Sequence, residues 1–303
     1  MSEGEKPFPH LLEVIPKEGD VTILCYELLL RSAPERVAEL DRLFKLGIGI
    51  QFSKSARPTL GVIDGTVCIS EGFLQQIWLL SHAAWLDFEN FEKQKKMGSL
   101  LPADELIQLR QAIEAAEKIG DLFAPKWPES IPQHREEREG MEAKAIREIY
   151  AMATCWAVLH EMKHAELFTC LAKIADPHEE ESACDGYAFD FLFVEIAEYE
   201  KRSGDAEGRV LGKRSIAALV GLYFVARLSK DGVPSETHPH VQTRIRSLFE
   251  KVGDLAVLHF WDFSIALLCG LRPEISQSAV ELEKPTSKDL AYLALERAFP
   301  GHV

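Results

Sequence analysis

Apolar positions recur along most of this chain with the period of an α-helix, and one short region near its start has the β-branched runs of strands. From Ser32 the pattern predicts a helix with Pro34 in its first turn and Val37, Leu40, Leu43 and Phe44 on one face through Leu46. Residues 48–52, 59–63 and 66–69 predict strands, and Asp64-Gly65 between the last two predicts a type I′ hairpin. Ser70 is placed to cap a helix that carries Phe73, Leu74, Ile77, Trp78 and Leu80. Residues 106–119 form another amphipathic pattern, closed by Gly120. Prolines at 125, 128 and 132 then mark a loop or subdomain boundary, and the charged run 134–139 reads as the solvated start of a helix. Helical patterns follow at 141–170, 177–201, 215–229, 241–252, 255–271 and 287–299. The expected fold class is α+β, mainly helical, with a small β-sheet near the N-terminus packed on a helical core. Residues 1–135 are expected as an N-terminal subdomain and 136–303 as a helical one, the two packing as one unit.

With 303 residues, 47% of them hydrophobic, the chain can bury a substantial core. A net charge of −14 repels phosphate-rich partners, so nucleic acid and anionic membranes are poor candidates. The six cysteines form no CxxC pair and lie mostly in apolar stretches, the pattern of reduced, buried thiols rather than of a disulfide framework. Residues 1–20 carry acids and prolines without the apolar core of a secretory signal. The longest apolar runs, 216–226 and 265–268, fall short of the roughly 20 residues that a membrane-spanning helix requires. A cytoplasmic protein without a membrane span is therefore expected. Trp78, Trp85, Trp127, Trp156 and Trp261 sit mostly at core positions of amphipathic helices and are expected to pack rather than to bind. There is no Gly-x-Ser-x-Gly elbow and no Walker-type loop, and Gly47-Ile48-Gly49 lacks a third glycine, so nucleotide use is unsupported.

The chemistry concentrates at His160-Glu161-Met162-Lys163-His164. Residues four apart share a helix face, so His160 and His164 present two imidazoles to one point with Glu161 beside them. That spacing suits a tetrahedral Zn²⁺ with one position open to water, and a neighbouring carboxylate can serve as its general base. Tyr150, Met152, Trp156, Val158 and Leu159 place the motif on a buried helix, where two histidines and a glutamate are costly unless a metal satisfies them. A third ligand is expected downstream, where Asp176 and Pro177 open a new helix. On it Glu181 and Asp185 share a face, so one can bind metal while the other supports a ligating histidine. Glu179 and Glu180 read as acids that complement the helix dipole. If the first helix ran unbroken to Ala175, His164 would lie about 16 Å from its end, against about 6 Å for Glu181 in the next. A break near residues 169–171 is therefore required for Glu181 to be the ligand, and without one Asp185 is the better placed.

His160-Glu-x-x-His164 followed by Glu181-x-x-x-Asp185 resembles the gluzincin metallopeptidases, and Thr237-His238-Pro239 with Arg244-Ile245 resembles their M48 (Ste24/HtpX-like) branch. The hairpin region from 48 to 74 is similar to the segment that leads into that family's first core helix. Cys184 stands where that pattern usually has alanine. The interval from His164 to Glu181 is short for M48, and its frequent membrane spans are missing. Chain length and a mid-chain HExxH also resemble the Lit-type phage-exclusion peptidases. The gluzincin resemblance implies a zincin-type catalytic core with His160, His164 and Glu181 as ligands of one Zn²⁺, Glu161 as the base and Asp185 in support. It implies His238 as the stabiliser of the oxyanion, with Arg244 as its structural partner or that of Asp185, and Tyr187 as a substitute donor. The expectation is a zinc-dependent endopeptidase that takes a protein or peptide substrate. The alternative is a regulatory or binding protein with a structural zinc or a degenerate peptidase site.

Overall fold

The computed structural model describes residues 21–98, 102–121, 126–133, 139–172, 174–228, 239–253, 259–271 and 286–299. Strands β1 (Gly49–Ser53), β2 (Leu60–Ile63) and β3 (Thr66–Ser70) form one sheet in the order β1-β3-β2, with β3 parallel to β1 and antiparallel to β2. The β2–β3 turn holds Asp64 at φ 48° and Gly65 at φ 75°, the two positive angles of a type I′ turn, as the sequence predicts. Ser70 then accepts a hydrogen bond from Phe73 N at 3.1 Å and opens α3 (Glu71–Met97).

The remaining helices are α1 (Val21–Ser32), α2 (Val37–Lys45), α4 (Ala103–Lys118), α5 (Met141–Thr169), α6 (Pro177–Phe193), α7 (Ile196–Ser203), α8 (Arg209–Leu228), α9 (Val241–Val252), α10 (Phe260–Leu271) and α11 (Ser287–Ala298). The architecture is α+β and mainly helical, as expected. Helix α1 adds to the expected elements, and three boundaries differ most. Ser32 ends α1 instead of opening a helix, and Pro34–Arg36 forms a short 3-10 turn before α2. The helix expected over 177–201 breaks where Glu195 adopts φ 67°, which separates α6 from α7. Helix α8 starts before 215 because the buried Glu200 carboxylate accepts from Gly208 N, Val210 N and Leu211 N at 2.9, 2.6 and 3.3 Å, capping its first turn. Much of the charged run and residues 254–258 lie outside the described residues.

Helix α5 is the axis of the core. Ala153, Cys155, Trp156, Ala157, Val158 and Leu159 are all buried on it, packed among residues from α1, α3, α6 and α8. Gly221 lets α8 approach: a Cβ there would stand 2.5 Å from the Trp156 ring. Trp78 and Trp156 are buried and the other three tryptophans are half-buried against the same cluster, as core packing requires. All six cysteines are free, but only Cys25, Cys155 and Cys184 are buried, and Cys170 is exposed just past the end of α5. No described helix is long and apolar enough to cross a membrane.

Candidate metal centre

Helix α5 stops at Thr169, inside the window that the geometry of the third ligand demands. Leu171 adopts φ 53°, and Cys170 N, Leu171 N and Ala172 N bond back to the carbonyls of Glu166, Phe168 and Leu167 at 2.8, 3.2 and 3.0 Å. This left-handed closure turns the chain sharply, and Asp176, accepting from His178 N at 2.9 Å, starts α6 with Pro177 in its first turn. The first turns of α6 are thereby carried back across the end of α5.

His160 Nε2 and His164 Nε2 lie 3.2 Å apart. The Glu181 carboxylate presents one oxygen to each ring, Oε2 at 3.4 Å from His160 Nε2 and Oε1 at 3.2 Å from His164 Nε2. His160 and Glu181 are buried and His164 is half-buried, and this is the one group among the described residues whose ligand atoms converge as a metal site would require. The far edge of each ring is occupied as well. His160 Nδ1 stands 2.9 Å from Asp185 Oδ1, and His164 Nδ1 stands 2.8 Å from Glu180 Oε1. A neutral imidazole that gives its Nδ1 proton to a carboxylate turns its Nε2 lone pair to the other side, here towards the shared point.

Behind Asp185 stands Arg244 of α9, donating from Nε to Oδ2 at 2.7 Å and from Nη2 to Oδ1 at 2.6 Å. Its Nη1 lies 3.7 Å from Glu181 Oε2, and its guanidinium lies over the Trp156 ring at 6.0 Å from the centroid. Both members of the pair are buried, with side chains 3% and 5% exposed. Arg244 thus serves Asp185, one of the two partners expected for it. Glu161 is half-buried on the same turn of α5, and its charge favours protonation of His164 and strengthens the hold of Arg244 on its proton.

Two observations test whether the group fits a metal ion. Ligand atoms about 2.0–2.1 Å from a tetrahedral ion are separated by about 3.3 Å; the two Nε2 atoms stand 3.2 Å apart, and Glu181 sets a different oxygen beside each, so that one ligand atom from each residue falls within 4.8 Å of the others. The electrostatics agree in sign. Burial disfavours charge on His160, yet Asp185 and Glu181 outweigh it and lift the ring to about 9. His164 is likewise lifted to about 9, because Glu181 and Glu180 overcome the effect of burial. Burial opposes ionisation of Glu181, but the two histidines hold its carboxyl well below the usual range. Asp185 is also held low, Arg244 and His160 outweighing its burial. Such a pocket attracts positive charge, which a divalent ion would supply in place of ring protons. The group therefore fits a metal ion. Cys184 is buried beside it but is not part of it, and burial pushes that thiol up to about 12.

Other expectations fare differently. The Tyr187 hydroxyl donates to Glu39 Oε1 at 2.9 Å and is committed there rather than offered as a substitute donor. His238 lies outside the described residues. Glu180 belongs to the centre through His164 and is more than the helix-terminal acid its position suggests. The consecutive acids Glu179, Glu180 and Glu181 are the only signal the sequence carried for it, and choosing among them takes the register that the Leu171 turn imposes.

No curated protein and no solved structure matches the chain. The M48 assignment is not supported by the comparison with known families, and the short His164-to-Glu181 interval, made possible by the turn at Leu171, is where the chain departs from that pattern. The match that is found is to a family of peptidases, consistent with a hydrolase acting on a protein substrate. The family described as Peptidase U49, the Lit-type phage-exclusion peptidases, matches residues 67–264, from β3 into α10 and more than half of the sequence, and the chain belongs to it.

Proposed function

We propose that this chain is a zinc-dependent endopeptidase of the cytoplasm, with His160, His164 and Glu181 as the metal ligands and Glu161 as the general base. The observation that carries the proposal is the convergence of the His160 and His164 Nε2 atoms of α5, the helix that also bears Glu161, with the Glu181 carboxylate of α6, one ligand atom from each within 4.8 Å of the others. Zinc is the ion that best suits a donor set of two imidazoles and one carboxylate, three protein groups with room for a fourth partner. When bound, it supplies Lewis acidity that polarises a peptide carbonyl and makes water a nucleophile near neutral pH. A structural site would be closed by four protein ligands, and among the described residues three converge.

Glu161 is half-buried on the turn of α5 between the two histidines, and its charge is felt by His164 and by Arg244, which supports a place for its carboxylate beside the centre. It takes a proton from the attacking water and delivers it to the leaving amine. Asp185, fixed by Arg244 and 2.9 Å from His160 Nδ1, steadies that ring while this happens. His238 is the candidate donor to the developing oxyanion. Strand β2 is an edge of the sheet and packs on α5, so an extended substrate can add beside it and bring its carbonyl to the centre.

The test combines metal analysis with proteome-wide cleavage mapping. About one zinc per chain is expected in the wild type, and Glu161→Gln is expected to keep that zinc and to lose every cleavage that depends on the wild type. A chain that purifies without zinc, or identical maps for the two proteins, overturns the proposal. Chelation is expected to abolish cleavage while far-ultraviolet circular dichroism keeps its helical signal, whereas a structural zinc would take the fold with it.

A further inference from the structure

We infer that Glu180 is the positioning residue for His164, an inference that rests on the metal-centre reading above. Two consecutive carboxylates of α6 address opposite edges of one imidazole: Glu180 Oε1 lies 2.8 Å from Nδ1 and Glu181 Oε1 lies 3.2 Å from Nε2. Neighbouring residues on a helix point about 100° apart, so they serve one ring only when that ring is wedged between them. The left-handed turn at Leu171 and the cap at Asp176 create that wedge by laying the first turns of α6 over the end of α5.

Glu180 accepts the Nδ1 proton and so selects the tautomer that leaves Nε2 free to bind a cation. Asp185 stands 2.9 Å from the corresponding His160 Nδ1, but the two sides of the centre are built differently. Both Asp185 oxygens are gripped by Arg244 in the interior, with its side chain 5% exposed, whereas the Glu180 side chain is 25% exposed at the mouth. His160 is the fixed ligand. His164 depends on one carboxylate at the edge of solvent, so metal retention on that side depends on Glu180. A helix-dipole role for Glu180 would be shared with Glu179, which lies in the same first turn but is exposed.

The experiment measures zinc affinity of the full chain by competition with a chromophoric chelator, alongside the Tm of the metal-free protein. Glu180→Ala is expected to weaken zinc binding about 10–100-fold while the metal-free Tm stays within a few degrees of wild type. Glu180→Gln keeps an acceptor oxygen and is expected to recover part of that loss, and it carries the comparison if the alanine variant does not fold. Glu179→Ala is expected to bind as wild type does. The visible spectrum of the cobalt-substituted protein should differ between wild type and Glu180→Ala, because the ring would settle in a new orientation. Equal zinc affinity in wild type, Glu180→Ala and Glu180→Gln overturns the inference and leaves the metal centre standing. Equal weakening in Glu179→Ala and Glu180→Ala also overturns it, because the effect would then belong to the helix terminus. A wild type that takes up no zinc overturns both readings.

Discussion

Arg244 shows how much a single buried residue can determine. Its guanidinium forms two parallel hydrogen bonds with Asp185, lies over Trp156 and stands 3.7 Å from Glu181, so one cation on α9 fixes two acids of α6. Replacing it by methionine keeps much of the volume but leaves buried Asp185 with His160 as its one remaining cationic partner, a loss expected to stay below the roughly 3–5 kcal/mol typical of a buried charge stripped of its whole partner. Arg244→Met is therefore expected to lower the denaturant midpoint of the metal-free protein, measured by urea unfolding, and to weaken zinc binding because Asp185, the partner of His160, is no longer held in place. A variant with unchanged midpoint and unchanged affinity would show that the Asp185–Arg244 pair is not coupled to the centre. At this scale the sequence was partly legible. His160, Glu161 and His164 announce themselves by spacing, and Glu181 and Asp185 by sharing a face on the next helix. Glu180 was not legible, since three consecutive acids at a helix start are chemically alike until the approach of the other helix selects among them.

At the scale of elements, the break after Thr169 could be anticipated because an unbroken helix would have carried His164 out of reach of Glu181. The split between α6 and α7 could not, because neither Val194 nor Glu195 is a glycine or asparagine that would announce the left-handed angle found at Glu195. Helix α2 illustrates the same limit: its period was readable but its partners were not. Arg42 reaches from α2 to Glu166 on α5 at 2.6 Å and holds Glu39 through Nε and Nη2 at 2.9 Å each. Glu39 in turn accepts from Tyr187 of α6, and Lys163 holds the other Glu166 oxygen at 2.9 Å. Arg42 holds the Glu39 carboxyl below its ordinary range, against the opposing effect of burial. Burial likewise opposes ionisation of Glu166, and Arg42 with Lys163 outweighs it. A carboxyl whose folded value is depressed contributes stability above the ordinary glutamate range and loses it as pH falls through the folded value. Arg42→Met is accordingly expected to destabilise the metal-free protein at neutral pH, and the difference from wild type is expected to shrink in acid as both glutamates become protonated. Because the network is partly exposed, the neutral-pH effect should be no more than about 1 kcal/mol. Urea unfolding of both proteins at neutral and acidic pH measures it, and a gap that widens in acid would contradict the assignment.

For the molecule as a whole, the helical period and the early strand runs were enough to give the α+β class, because binary patterning is written locally. What joins distant segments was not written there. The clearest case is Arg214 on α8, whose guanidinium pairs with Glu35 of the 3-10 turn and donates from Nη1 to Leu192 O at the end of α6 at 2.8 Å. Its partner lies 179 residues away in sequence, and the two side chains are 2% and 0% exposed. The pair thus ties the N-terminal helices to the end of the helix that carries Glu181 and Asp185, with Tyr199 of α7 beneath the guanidinium at 5.5 Å. Burying two charges gains little over a well-packed apolar pair, but removing one of them strands the other. Arg214→Met alone is therefore expected to cost about 3–5 kcal/mol in urea unfolding, and the double variant Arg214→Met with Glu35→Leu is expected to recover most of that loss. The decisive quantity is the coupling between the two sites. If the double variant is as unstable as the sum of the single ones, the pair does not act as a unit, and the link between the N-terminal helices and the metal-bearing helix must be carried by apolar packing alone.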